Sequence, residues 1–158
     1  LETASGCIEC APTLMLEELD RLRASRADDS GLRLIGRRDV RSNNSWMHNA
    51  PRLVKGPTRH QLHMHPDDLA RRGIADGEPV RLASDKGAVQ VQVRAEAGMM
   101  PGVVCLPHGF GHDRPGTRQA RAQQVEGASY NDLSSTRALD APSGNAALNG
   151  IAVTVTAA

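Results

Sequence analysis

Residues 79–94 carry the pattern that most constrains the fold of this chain. Valines occupy every second position from Val89 to Val93 and alternate with polar residues. A period of two is typical of a strand with one buried face and one solvated face. The turn sequence Asp85-Lys86-Gly87 precedes this strand, and Pro79–Ala83 forms an apolar segment before the turn. The stretch therefore predicts an antiparallel β-hairpin.

The core must be built almost without aromatic side chains. The chain has one Trp, one Tyr and one Phe among its 158 residues, and its apolar residues are mostly Ala, Val, Leu and Ile. Small branched side chains suit the strands of a compact barrel or sandwich. A chain of this length suits one domain and buries roughly 68–70% of its extended surface.

Four other segments have strand character, and the last of them follows a long irregular stretch, 107–149. A strand placed there is predicted to close a sheet that began earlier in the chain. Irregular stretches of such length are usually functional or disordered. The four segments are Leu32–Ile35, His60–Met64, Val103–Leu106 and Ile151–Val155.

Two helices are predicted. In 66–74, Pro66 begins the helix, acidic residues occupy the first turn, and Gly73 adopts the left-handed cap that lets Ile74 pack on Leu69. In 12–26, Met15, Leu19 and Leu22 share one face. Residues 1–31 are therefore predicted to be an arm with one amphipathic helix, and 25–31 its helix end and linker.

Charge and thiols limit the classes of function. The net charge is +1, which does not favour nucleic-acid binding. Only Lys55 and Lys86 are lysines, so the many arginines reflect either phosphate and carboxylate binding or a general composition bias.

Three cysteines without a signal peptide predict a reducing, cytoplasmic setting, and no apolar run is long enough for a membrane helix. Because the chain starts at Leu1, we expect it to be part of a longer protein.

The sequence shows no catalytic constellation. There is no nucleophile elbow, phosphate-binding loop or dinucleotide fingerprint, so a small hydrolase or decarboxylase is disfavoured.

Cys7 and Cys10 have thiol-pair spacing but no second pair for a zinc site, and we interpret them as ordinary thiols. His60, His63 and His65 resemble a metal cluster, yet on a strand His60 points away from the other two. No metal site is predicted.

Three polar loop segments remain as candidates for ligand binding. Gly36-Arg37-Arg38 with 43–46 offers guanidinium, amide and hydroxyl groups, which suit an anionic heteroaromatic ligand. Residues 107–112 combine two glycines with two histidines, so that backbone amides can approach a ligand closely. Residues 129–133 and 143–145 are polar and non-repetitive, as loops around one site commonly are. Each segment alone is also compatible with a solvated loop.

Taken in order, these segments resemble a known module. The order is LIGRR, NNSW, PDDLARRGI, DGEPVRL, ASDKGAV, MPGVVCLPHGFGH, YNDL and SGNAALNGI. The set resembles the C-terminal molybdopterin-guanine-dinucleotide-binding domain of the molybdopterin oxidoreductase superfamily, with the closest likeness to formate dehydrogenase-like and nitrate reductase-like members. The likeness covers about residues 32–156.

The resemblance implies a mainly β fold, a six-stranded double-psi β-barrel with short peripheral helices, over 32–158. It implies a cofactor of two molybdopterin guanine dinucleotides (bis-MGD) with Mo or W. Partners would be the upstream domains of the same oxidoreductase, where an iron-sulfur cluster could also lie. The metal ligand and acid–base groups lie in other domains of such enzymes, so no catalytic residue is assigned here, and the isolated chain is expected to be inactive.

The resemblance also implies the cofactor-binding residues. Two departures concern residues 129–149, the late loop: relatives lead us to expect Asn near Ser129 and a small residue near Tyr130. Phe110 stands where Trp is more frequent. The implied residues are Gly36, Arg37, Arg38, Asn43, Asn44, Ser45, Trp46, His108, Gly109, Asn131, Ser143 and Gly144.

An alternative function is a free-standing double-psi barrel that acts as a protein-interaction or recognition adaptor. It predicts that the same loops face a peptide groove and that guanine nucleotides do not bind. Cysteine-rich cluster motifs upstream in the parent reading frame would distinguish the cofactor hypothesis from this one.

Overall fold

Six strands close into one barrel in the computed structural model of the protein, which describes residues 1–24 and 31–158. Around the barrel the order is β1, β5, β2, β4, β3 and β6, and β6 pairs again with β1. The predicted mainly β fold, a six-stranded barrel with short helices, is confirmed. The strands are β1 (Leu32–Arg37), β2 (Gln61–Met64), β3 (Pro79–Ala83), β4 (Ala88–Ala95), β5 (Val103–Pro107) and β6 (Ile151–Ala157).

Two of the neighbouring strand pairs are parallel. β1 runs parallel to β5, and β2 runs parallel to β4, whereas the other pairs are antiparallel. β6 bonds to β1 on one side and to β3 on the other. The prediction that the last strand closes an earlier sheet is therefore confirmed.

The predicted hairpin is β3 and β4. Val80 faces Val91 and Leu82 faces Val89 across the pair, while the Ser84 N–H donates to the Gly87 carbonyl in the turn. Burial along β4 alternates residue by residue, so the valines at every second position are the residues that face the barrel interior. Aliphatic side chains and Met64 fill that interior: Leu32, Leu34, Leu62, Met64, Val80, Leu82, Val93, Val104 and Leu106.

The helices are short and take no part in the barrel wall, which the six strands form. They are α1 (Thr13–Ala24), α2 (Pro51–Val54) and α3 (Pro66–Ala70). α3 ends earlier than predicted, but Gly73 has the predicted left-handed φ of 63°, and the Ile74 N–H donates to the Leu69 carbonyl at 3.1 Å. α2 was not predicted, because four residues are too few to show helical periodicity.

The arm contains the predicted helix, α1, whose described side chains are not buried. Its apolar residues Leu14, Met15 and Leu19 are 53%, 51% and 48% exposed. The predicted linker 25–31 falls mostly on 25–30, outside the described residues, and the division into an arm 1–31 and a domain 32–158 stays a prediction. Among the described residues no helix is long and apolar enough to span a membrane.

A matched pair of valines tests the barrel core. Val80 is fully buried, whereas Val40 is 94% exposed. We expect Val80→Ala to lower the free energy of unfolding by about 2 kcal/mol, because it removes two buried methyl groups and leaves a cavity. We expect Val40→Ala to change it by less than about 0.5 kcal/mol. Urea denaturation measures both, and equal effects would contradict the assigned core.

Candidate functional site

The loops that follow β1 and β5 meet at one end of the barrel. Because these strands are parallel neighbours, their carboxyl ends lie side by side, with Gly36 opposite Leu106 and Arg37 opposite Pro107. The His108 N–H donates to the Arg37 carbonyl at 3.0 Å and extends the ladder by one bond. Two of the predicted loop segments are thereby brought together.

His108 is fixed between Gly36 and Tyr130. A Cβ built on Gly36 would lie 2.2 Å from His108 Nε2, so only glycine leaves room for the ring. The imidazole stacks on Tyr130 with ring centroids 3.8 Å apart, and the Tyr130 hydroxyl donates to the Leu148 carbonyl at 2.6 Å. Burial lowers the pKa of His108 to about 4, helped by the Arg38 charge, and raises that of Tyr130 to about 12. Both rings are therefore uncharged at neutral pH.

The 43–45 loop packs directly on the backbone of Gly109. Asn43 and Asn44 have φ values of 43° and 64°, a left-handed conformation that Asn tolerates better than most residues. A Cβ on Gly109 would lie 2.4 Å from the Asn44 carbonyl oxygen. Close backbone contact thus explains why asparagines and a glycine occupy these loops.

The late loop supplies the third wall. A Cβ on Gly111 would lie 2.9 Å from the Ser129 backbone nitrogen, so the two segments touch there. Asn149 Oδ1 accepts the Gly36 N–H at 2.9 Å and ties the end of the late loop to β1. Asn149 was not predicted from the sequence, where its place just before β6 is the only signal.

These loops surround a cavity of about 350 Å³, which we call the cofactor pocket because residues predicted from the sequence to bind a cofactor line it. Half of the predicted residues line it or its rim: Arg38, Asn44, Ser45, His108, Gly109 and Asn131. The Arg38 side chain has no hydrogen bond or ion pair with any described residue and is free to bind an anion. The other lining residues are Phe110, His112, Ser129, Tyr130 and Leu148.

Arg37 does not line this pocket. Its guanidinium donates to the carbonyls of Cys105 at 2.9 Å and Gln61 at 3.0 Å, and more weakly to that of Arg59 at 3.3 Å. Arg37 therefore joins the end of β5 to the start of β2 and positions the loops around it.

Trp46 also lies outside the pocket lining, and its side chain is 79% exposed. The remaining predicted residues outside the pocket lining are Gly36, Asn43, Ser143 and Gly144.

Tyr130 lies in the pocket floor, where the sequence analysis expected a small residue. The aromatic ring fills the space under His108 and is 1% exposed. A lone tyrosine in a polar loop was the available signal, because an aromatic ring buries a large area and a buried tyrosine hydroxyl usually finds a hydrogen-bond partner.

A ring cluster separates the cofactor pocket from the space behind it. His48 Nδ1 and His112 Nε2 are 2.8 Å apart, so one nitrogen donates and the other accepts. Phe110 packs between His48 and His60, with centroid distances of 4.5 and 4.7 Å. Burial lowers the pKa of His60 to about 4 and also lowers that of His48, to which the adjacent His112 contributes.

The possible metal ligands do not converge. No group of three or more His, Cys, Asp or Glu residues among the described residues could hold a metal ion. Cys7 and Cys10 are exposed thiols in the arm, while Cys105 is buried in β5. The cofactor pocket instead offers the guanidinium of Arg38, amide and hydroxyl groups, the neutral imidazole of His108 and the ring of His112. This donor set suits phosphate and the edges of a heteroaromatic ring.

The chain matches one protein family model and is similar to several curated proteins. A family model described as the molydopterin (molybdopterin) dinucleotide binding domain matches residues 32–152. A Halobacterium salinarum protein, named as the putative catalytic component of a dimethyl sulfoxide reductase, is 41% identical over 70 residues, covering 44% of this chain and 8% of that protein. Biotin sulfoxide reductase of Cereibacter sphaeroides is 31% identical over 107 residues, covering 66% and 14%.

A solved structure supports the fold alone. Acetylene hydratase from Pelobacter acetylenicus superposes with a TM-score of 0.68 at 18% identity, covering 84% of this chain and 19% of that protein. This chain thus spans a small part of each of these three proteins.

Gly36→Ala tests the packing of the pocket. The new methyl group must displace the His108 ring, so we expect a loss of about 1–3 kcal/mol in the free energy of unfolding and a moved His108 resonance. Gly31→Ala is the control, because nothing lies within 4 Å of a Cβ there. Urea denaturation with imidazole NMR measures both effects. A His108 resonance that stays in place in Gly36→Ala would contradict the packing.

The pH dependence of the histidines is a second test. His60 and His108 have folded pKa values of about 4 against 6.5 for an ordinary histidine. Their stabilising contribution is therefore complete above about pH 6.5 and is lost as the pH falls toward 4. In imidazole NMR we expect both rings to stay neutral from pH 8 to pH 5.5. Titration of either ring near 6.5 would show that it is solvated.

Proposed function

The chain belongs to the molybdopterin dinucleotide-binding domain family, and we propose that it binds molybdopterin guanine dinucleotide as one domain of a larger molybdenum or tungsten oxidoreductase. The observation that carries the proposal is the convergence of Arg38, the 44–45 loop, His108-Gly109 and Asn131 on one cavity. These groups come from three loops that are far apart in sequence.

The cavity fits such a ligand. Arg38 has no partner among the described residues and offers a charge-assisted bond to a phosphate oxygen. Gly36 and Gly109 let the His108 ring and the Asn44 backbone come close enough to form the cavity wall, because a Cβ at either glycine would collide with them. Asn44, Ser45 and Asn131 offer donors and acceptors of the kind that guanine and pterin edges require. Neutral His108 can donate or accept without adding charge.

The roles of cofactor and chain are separate. When bound, the cofactor supplies the metal centre that exchanges electrons with the substrate. This chain supplies binding and orientation: Arg37 holds β2 and β5 together, the Gly36–His108–Tyr130 stack fixes one wall, and Asn149 ties β1 to the late loop. The isolated chain is therefore expected to bind but not to turn over.

The rest of the enzyme is inferred from the relatives. The chain spans 8% and 14% of the two curated relatives, so the proposed partners are other domains of the same protein, on which the exposed apolar residues of α1 would dock. Both relatives are named as sulfoxide reductases, which favours a sulfoxide reductase-like enzyme over the formate dehydrogenase-like and nitrate reductase-like subtypes predicted from sequence. Cytoplasmic location and an iron-sulfur cluster elsewhere in the enzyme stay predictions. The family match favours cofactor binding over the protein-interaction adaptor.

A nucleotide titration tests the proposal. In amide NMR of the 158-residue chain, we expect GDP to shift residues around Arg38, His108 and Asn131 with an affinity on the order of millimolar, because most cofactor contacts are missing. ADP is the comparison for guanine selectivity, and inorganic phosphate for a generic anion response. We expect Arg38→Gln to weaken GDP binding by about tenfold.

The control is Arg81→Gln, because Arg81 is exposed on β3, away from the pocket. It should leave the GDP affinity unchanged. If Arg38→Gln binds GDP as the parent chain does, or if GDP shifts no residue of the cofactor pocket, the assignment of this pocket is wrong.

A further inference from the structure

A second cavity, the arginine cavity, lies beside the cofactor pocket. Its volume is about 270 Å³, close to the lower limit of small-molecule sites. It is formed by the 41–42 loop, the end of α2, the connection 56–59 and the segment 121–126. None of the residues assigned above to cofactor binding lines it.

Positive charge dominates its lining. Arg41, Arg59 and Arg121 line the cavity, while Glu126 is the one carboxylate among its lining residues. A further carboxylate, Asp39, lies 3.7 Å from Arg59 Nε and offsets part of that charge. Three guanidiniums around so small a space leave an excess of positive charge that an anion would neutralise.

The arginines have unused donors. Arg59 donates to the carbonyls of Leu53 and Lys55 only at 3.4 Å, near the limit for a hydrogen bond, and Arg41 donates to that of Arg52 at 3.2 Å. Arg121 bonds to Gln124 through Nη1 at 2.8 Å, but its buried Nε has no partner among the described residues. A buried donor without a partner is rare and costly in a folded protein.

Neighbouring groups favour an oxyanion with a small organic part. The hydroxyl of Thr58 and the ring of His48 add polar groups, while Leu53, Val54 and Pro57 form an apolar wall. Asn49 Oδ1 accepts the backbone N–H groups of Arg121 and Ala122 at 3.1 and 3.2 Å and so fixes the segment that carries Arg121.

The two cavities are adjacent but distinct. They share only Phe110, and the His48–His112 hydrogen bond joins a lining residue of one to a lining residue of the other. From the three guanidiniums, the orphaned Nε and this separation, we propose that the arginine cavity binds a phosphate group outside the cofactor pocket. The phosphate comes either from a free phosphate or phosphate monoester, or from a nucleotide that reaches past Phe110.

Arginine-detected NMR of the 158-residue chain tests this site. Inorganic phosphate is titrated at constant ionic strength against chloride, and the Nε–H resonances of Arg59 and Arg121 are followed. We expect saturable shifts at millimolar phosphate, and a loss of affinity of about tenfold or more in Arg121→Gln and in Arg41→Gln. Arg41 is exposed, so its variant keeps the test valid if Arg121→Gln impairs folding.

Two controls separate this site from the cofactor pocket. Arg81→Gln and Arg38→Gln should both leave phosphate binding at Arg121 unchanged. Phosphate binding in the arginine cavity can therefore fail while GDP binding in the cofactor pocket succeeds, and GDP binding can fail while phosphate binding succeeds. A GDP titration that shifts Arg121 as well as Arg38 would identify a nucleotide phosphate as the source, whereas a shift by phosphate alone would identify the free ion. Absence of a saturable Arg121 shift, or shifts unaffected by both arginine variants, would overturn the proposal.

Discussion

The parallel pairing of β1 with β5 is the constraint on which the site depends. Antiparallel neighbours would place the end of one strand beside the start of the other, and the loops after them would leave from opposite ends of the barrel. Parallel pairing instead brings Gly36 next to Leu106 and carries both following loops to one rim. The His108 N–H bond to the Arg37 carbonyl extends this ladder into the loops themselves.

Glycine and uncharged histidine make the rim compact. Gly36, Gly109 and Gly111 each touch another loop at a distance that no Cβ permits, so the loops pack backbone to side chain or backbone to backbone. The imidazoles of His60 and His108 fill the space between them as neutral rings, because burial lowers the pKa of both and disfavours the charged form. The pocket walls are thus built without buried charge, and the positive charge at the site is left to arginines at its edge.

The arginines have three different roles according to their partners. The Arg37 guanidinium donates its hydrogen bonds to backbone carbonyls and so fixes the barrel end. Arg38 has no partner among the described residues and faces the cofactor pocket. Arg121 keeps a buried Nε, unpaired among the described residues, in a separate cavity. The number of arginines in the chain therefore says less about function than the donors each one has left, which depend on the neighbours that folding brings.

The sequence by itself determined the local elements and the family. The alternation at 89–93 specified β4, Gly73 specified the turn after α3, and the ordered loop motifs identified the domain, because turn chemistry and side-chain period act over a few residues. The tertiary structure decided the strand order, the opposite roles of Arg37 and Arg38, and the place of Tyr130 and Asn149. Those features depend on contacts between residues far apart in the chain, such as Gly36 with Asn149, and no local pattern records which distant segments become neighbours.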